Sequence, residues 1–168
     1  MPVRRWILLA SLGALAAALA GFWGRLTGRG GDGQGFEVRY SEAEWRRRLT
    51  PEQFDVLRYE ATEPPFTSPL LAEKRQGLYH CAGCELALYS SEAKFDSRTG
   101  WPSFTAALPD AVRTGTDYKL LFPRNEVHCR RCGGHLGHVF DDGPPPTGKR
   151  HCINGIALAF KPAAADSA

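Results

Sequence analysis

Scarcity narrows this 168-residue chain first. Beyond residue 35 no stretch is long or periodic enough to specify a long helix, and no internal repeat appears apart from two short C-x-x-C knuckles. Charge of either sign is not in surplus there. Residues 1–35 hold four arginines and one aspartate, which accounts for the whole formal +3 and leaves 17 basic and 17 acidic residues in 36–168. A neutral folded part excludes an electrostatic grip on nucleic acid, which needs a clustered basic surface. Only Arg46-Arg47-Arg48 and Arg130-Arg131 are local basic runs, and solvated faces explain both. Cysteine is limited to five, none near the end of the apolar N-terminal run, which excludes a lipoprotein anchor.

That run is the first positive feature. Met1–Arg5 is short and basic, Trp6 to Trp23 is an uncharged run of 18 residues, and Gly28, Gly30, Gly31, Gly33 and Gly35 make a loose linker. Residues 1–35 therefore read as a signal peptide or membrane anchor plus linker. Ala18-Leu19-Ala20 fits a small-x-small cleavage site, and Arg4-Arg5-Trp6-Ile7-Leu8 is similar to a twin-arginine export motif, with Val3 where Ser or Thr is usual. The expected location is exported: periplasmic, or anchored to the inner membrane facing the periplasm, with the leader contacting membrane or export machinery. Residues 36–163 form one domain of ordinary size, able to bury a core, and 164–168 a flexible tail.

Within the domain, Ser41-Glu-Ala-Glu44 and Thr50-Pro51-Glu52-Gln53 are capping boxes that predict short helices over about 41–48 and 51–59, with Trp45, Phe54 and Leu57 inward. Glu63 to Pro69 cannot continue a helix and reads as an extended crossing segment. Residues 77–81, 86–89, 117–122, 126–129, 136–140 and 151–160 are strand-like runs bounded by turn residues. The expected fold is mainly β (α+β), with short N-terminal helices.

The five cysteines divide into four plus one. Cys81-Ala-Gly-Cys84 and Cys129-Arg-Arg-Cys132 have the spacing of a closed tetrahedral zinc site, one Zn2+ per chain and structural. Redox dithiols and paired disulfides are the alternatives; neither knuckle is followed by the helix of a thioredoxin-type motif. Cys152 is then the only thiol free to react. Its neighbours Arg150, His151 and Asn154 supply positive charge and donors expected to favour the thiolate, against the plainer state of a buried, inert cysteine. His135 and His138 are candidate proton donors beside such a thiolate, or extra metal ligands if the shell were not already full. Trp101, between Gly100 and Pro102, has its ring fixed by a rigid turn or is simply a packed core residue.

Taken in order, Thr62-Glu-Pro-Pro-Phe-Thr67, the first C-x-x-C, Gly100-Trp-Pro-Ser-Phe104, the second C-x-x-C with Gly-Gly-His-Leu-Gly-His-Val-Phe140, and Arg150-His-Cys-Ile-Asn154 closely resemble the B-type methionine sulfoxide reductases, over about 40–161. The resemblance implies two small antiparallel sheets, zinc on Cys81, Cys84, Cys129 and Cys132, and reduction of the R epimer of methionine sulfoxide in peptides or proteins. It implies Cys152 as nucleophile, His135, His138 and Asn154 around the sulfoxide oxygen, Trp101 as the wall for the substrate methyl, and Arg150 with Asp142 as an ion pair shaping the pocket. A monomer is expected. Many members carry a resolving cysteine where this chain has Thr99, so the expected reductant is an external small thiol or thioredoxin-like protein. Two competing readings are a membrane-tethered zinc-knuckle binding module without catalysis and a thiol–disulfide oxidoreductase using the C-x-x-C pairs.

Overall fold

Two short capped helices lead into the domain. Helix α1 (Glu42–Arg48) starts where Ser41 Oγ accepts the Glu44 N–H, and α2 (Pro51–Tyr59) starts at Thr50, whose side chain accepts the Gln53 N–H while Gln53 bonds back to Thr50. Only the second is a complete capping box. The Glu44 carboxylate pairs with Arg47 and Arg48 instead of returning to the Ser41 backbone. Trp45, Phe54 and Leu57 are buried as expected. The computed structural model describes residues 35–118 and 123–164; the expected leader and all of the tail but its first residue lie outside them. Among the described residues no helix is long and apolar enough to cross a membrane.

Nine strands follow among the described residues, all paired antiparallel, in two sheets. In the first, β1 (Gly77–Cys81) lies between β2 (Ala87–Ser90) and β9 (Leu158–Pro162). The second runs β3 (Lys94–Phe95), β4 (Ser103–Phe104), β8 (Arg150–Ile153), β7 (His135–Phe140), β6 (Arg124–Cys129), β5 (Val112–Asp117). Tyr79 from the first sheet and Phe104 from the second meet at 5.0 Å between ring centroids, and Tyr89 stacks on Phe104 at 4.3 Å, so these fully buried rings join the sheets. Burying side chains of this size stabilises by about 1.5–3 kcal/mol each.

One strand expectation is corrected. Residues 151–160 are not one strand: Asn154 ends β8 and heads a 3-10 turn, Gly155–Ala157, before β9 begins in the other sheet. The expected strand over 117–122 lies mostly outside the described residues. The observed strand is β5, which ends at Asp117 and whose Thr/Gly-containing sequence carries no apolar alternation.

The β7–β8 pair positions Cys152 and the residues opposite it. Its register sets Gly137 opposite Ile153, His138 opposite Cys152 and Phe140 opposite Arg150. Gly137 permits this approach, since a Cβ there would overlap the Cys152 carbonyl oxygen and stand 3.0 Å from the Ile153 Cα. Gly137→Ala is therefore expected to destabilise the domain by about 1–3 kcal/mol, as overpacking against backbone does. Gly115→Ala in β5, with nothing within 4 Å of the new carbon, is expected to leave the thermal midpoint in place. Equal melts for the two variants would contradict this account of the strand pair.

Candidate active site

The four clustered cysteines come from two turns, one after β1 and one between β6 and β7. Their sulfurs all lie within 4.8 Å of one another, with Cys81–Cys132 at 3.7 Å and Cys84–Cys129 at 3.5 Å. None is in a disulfide. A tetrahedron of thiolates at about 2.3 Å from a central ion has edges of about 3.8 Å, so the donor set fits a metal ion closely. The N-terminal helices cover this cluster: Arg58 donates to the Cys132 carbonyl at 3.1 Å and lies over the Trp45 ring. Neither His135 nor His138 joins the cluster, and His80 instead bonds the Glu85 carbonyl.

Cys152 stands apart, in a cleft of about 120 Å³ lined by Thr62, Trp101, Arg124, Gly137, His138, Phe140 and Asn154. Directly opposed residues of an antiparallel pair share a face with their Cβ atoms about 5 Å apart, so the His138 imidazole and the Cys152 thiol emerge side by side. On the other flank β4 pairs Ser103 with Cys152. Ser103 Oγ lies 2.7 Å from Ser97 Oγ, which lies 2.8 Å from Thr99 Oγ1, and Thr99 Oγ1 lies 3.9 Å from the Cys152 sulfur. Thr99 thus occupies the place next to Cys152 that the family resemblance implied.

The electrostatics of the thiol differ from the expectation. Burial pushes the Cys152 thiol up, and this outweighs the Thr99 hydroxyl and the Arg150 guanidinium, which both favour the thiolate. Of the three neighbours credited with activating it, only Arg150 does so. His151 points to the opposite face, where Nδ1 meets the Tyr89 hydroxyl at 3.3 Å. Asn154 lines the cleft, but its Oδ1 accepts the Glu63 N–H and its Nδ2 donates to the Leu136 carbonyl. Arg150 pairs through Nε and Nη2 with Asp142 at 2.9 and 2.8 Å, and its guanidinium lies 4.4 Å from the centre of the Phe140 ring. The ion pair therefore braces one wall of the cleft.

The two histidines have different stations. His138 Nε2 is 2.9 Å from Asp117 Oδ2, a carboxylate also held by Arg124 at 2.7 Å. Since that oxygen accepts, the imidazole donates from Nε2, which leaves Nδ1 for proton exchange. Burial lowers the His138 pKa, so the ring is neutral at neutral pH. His135 is buried behind it, rings 5.5 Å apart, with Nδ1 held by Glu126 at 2.7 Å; it does not line the cleft. The hydrogen bond from His135 keeps the Glu126 carboxyl below the usual carboxylate range.

Sequence reasoning missed Glu63, Asp117, Arg124 and Glu126. Glu63 is buried, and its carboxylate accepts the N–H groups of Gly155 and Ile156 while its carbonyl accepts Trp101 Nε1 at 3.0 Å. One residue thus ties the Trp101 wall to the end of the Cys152 strand. Its only signal was its place in the Pro-rich crossing segment.

Comparison with known proteins gives a SelR domain over residues 49–162. A peptide methionine sulfoxide reductase MsrB of Methanosarcina barkeri is 54% identical over 125 residues, covering 74% of this chain and 88% of that protein. The MsrB of Agrobacterium fabrum is 50% identical over 127 residues, 75% of this chain and 94% of that one. The mitochondrial methionine-R-sulfoxide reductase B2 of Rattus norvegicus is 47% identical over 154 residues, 83% of this chain and 88% of that one.

The balance at Cys152 is open to direct measurement. Alkylation of Cys152 by iodoacetamide is expected to accelerate only as pH rises through an alkaline range, because burial favours the neutral thiol. Arg150→Met removes an attraction for the thiolate, so its profile is expected to move to still higher pH, with slower alkylation at neutral pH. An unchanged or acid-shifted profile would show that Arg150 does not act on the sulfur.

Proposed function

The chain belongs to the SelR-domain family of B-type methionine sulfoxide reductases, and we propose that it reduces the R epimer of methionine sulfoxide in peptides and proteins, with Cys152 as the nucleophile. The observation that carries the assignment is the placement of the one cysteine outside the metal cluster directly opposite His138, in a cleft walled by Trp101.

Reduction of a sulfoxide by a thiol moves one oxygen and one proton. The Cys152 sulfur attacks the sulfoxide sulfur, the S–O bond of the substrate breaks, and the oxygen ends on Cys152 as a sulfenic acid. Cysteine loses two electrons and the methionine sulfur gains them. The proton that begins on the thiol must finish on that oxygen. A thiol pushed up and an imidazole pushed down place the proton on sulfur with a neutral base beside it, and His138 Nδ1 carries it across. Asp117 holds the imidazole in the required tautomer and orientation. Trp101 bounds the cleft as the apolar wall for the methyl group, and Asn154 and His135 act by holding the neighbouring backbone and the His138 ring in place.

Thr99 cannot form a disulfide with the sulfenic acid. An external thiol, small or thioredoxin-like, condenses with it to give a mixed disulfide and water, and a second thiol releases Cys152 and a free disulfide. The basic and apolar leader supports an exported enzyme, periplasmic or anchored at the inner membrane, with that thiol kept reduced from across the membrane.

An all-thiolate, closed set of four, three of them buried, favours zinc. When bound, it supplies cross-linking of the two knuckles and no chemistry to the substrate, since every position is taken by a cysteine sulfur. Wild type is expected to turn over R-methionine sulfoxide and not the S epimer, with one zinc per chain. Cys152→Ser is expected to abolish turnover and keep the zinc. Cys129→Ser is expected to lose the ion and a large part of the stability, because metal binding free energy is folding free energy here. A Cys152→Ser protein that retains turnover, or a Cys129→Ser protein that melts like wild type, would overturn the division of roles.

A further inference from the structure

Trp101 lines the catalytic cleft and also a second groove, of about 390 Å³. Its lining carries four cations, Lys74, Arg75, Lys94 and Arg98, against two carboxylates, Glu73 and Asp96. Arg75 is bound by Glu73, and the Lys94 ammonium donates to the carbonyls of Leu71 and Glu73 at 3.1 and 3.2 Å. Asp96 accepts the Arg98 backbone N–H, but among the described residues no carboxylate forms an ion pair with the Arg98 guanidinium or the exposed Lys74 ammonium. The folded part as a whole is neutral, so this local surplus is a property of the groove.

The backbone also presents groups to it at some cost. Phe66 and Arg98 both line the groove in the left-handed region, at φ 65° and 59°, where residues with side chains are disfavoured. A hydrogen bond from the Phe66 N–H to the Gly100 carbonyl at 2.8 Å fixes the first, and this residue is 71% exposed. An exposed aromatic ring and two cations without a carboxylate partner, held beside the residue that walls the catalytic cleft, make a surface for the chain on which the oxidised methionine is carried.

We propose that this groove receives the peptide segment flanking the methionine sulfoxide and favours acidic side chains in it, through Lys74 and Arg98, with Phe66 packing on the peptide. The inference rests on the reductase assignment above and adds a substrate preference to it. A groove of this charge also suits an acidic face of a protein reductant, which the test separates.

The experiment uses the full chain and three synthetic peptides that differ only in having Glu, Gln or Lys at the two positions on either side of R-methionine sulfoxide, with N-acetyl-methionine sulfoxide as the reference and a small dithiol as reductant. The acidic peptide is expected to exceed the basic one by about three- to tenfold in kcat/KM, chiefly through KM, and the ratio to shrink as salt is raised. The double variant Lys74→Glu, Arg98→Glu is expected to reverse the order. Arg47→Glu, on helix α1 and outside the groove, is expected to preserve it. Turnover of the reference compound with no difference among the peptides would overturn this inference alone. A double variant that alters saturation by a thioredoxin-like reductant and not by peptide would assign the groove to the reductant and overturn it too. Failure of wild type to reduce N-acetyl-methionine sulfoxide of the R configuration would overturn the reductase assignment, and this inference with it.

Discussion

The pairing of β7 with β8 is the constraint on which the other features depend. A slip of one residue in an antiparallel pair sends every side chain to the other face, so the alignment of His138 with Cys152 and Phe140 with Arg150 exists in one register only. Several devices hold that register. The knuckle bearing Cys129 and Cys132 lies just before β7, so an ion in the cluster anchors the start of the strand. Gly137 lets the backbones meet, and Asn154, just past the end of β8, bonds Leu136 near the start of β7. Glu63 then fastens the turn after β8 and the Trp101 indole to the crossing segment. The cysteine cluster thus bears on the Cys152 cleft through β7 without lining it.

Within that frame the site separates the location of a proton from the location of its acceptor. Low-dielectric surroundings disfavour charge on both Cys152 and His138, so the resting state is a neutral thiol beside a neutral imidazole. Attack on a sulfoxide needs the sulfur as a nucleophile at the moment when the oxygen needs a proton, and a single transfer meets both needs. The carboxylates of Asp117 and Glu126 orient the two histidines from behind, while Arg150, backed by Asp142, moderates the penalty that burial places on the developing thiolate. These groups stand behind a cleft suited to a neutral, polar S–O group.

Much of this was legible in the chain. The four-cysteine cluster follows from spacing, because a tetrahedral ion dictates short pairs in turns. Helix α2 follows from its capping box, and Cys152 from subtraction. The stretch after Cys152 looked like one strand because apolar residues dominate it; periodicity does not report that Asn154 turns the chain from one sheet into the other. The thiolate argument erred for a similar reason. Adjacent residues on a strand face opposite ways, so His151 could not help its neighbour. Glu63 acts across about ninety positions and Asp117 across about twenty, distances over which no local pattern carries a signal. The family resemblance, by contrast, implied Thr99 beside Cys152, and the structure sets the two side chains in contact.

The central claim is that Cys152 alone takes the oxygen and that no cysteine of this chain resolves it. Intact-mass measurement after one turnover with R-methionine sulfoxide, in the absence of reductant, tests it most directly. The account predicts a species heavier by one oxygen, about 16 mass units, captured by a sulfenic-acid trap at Cys152. A species lighter by two hydrogens, mapped to a disulfide between Cys152 and one of Cys81, Cys84, Cys129 or Cys132, would contradict it.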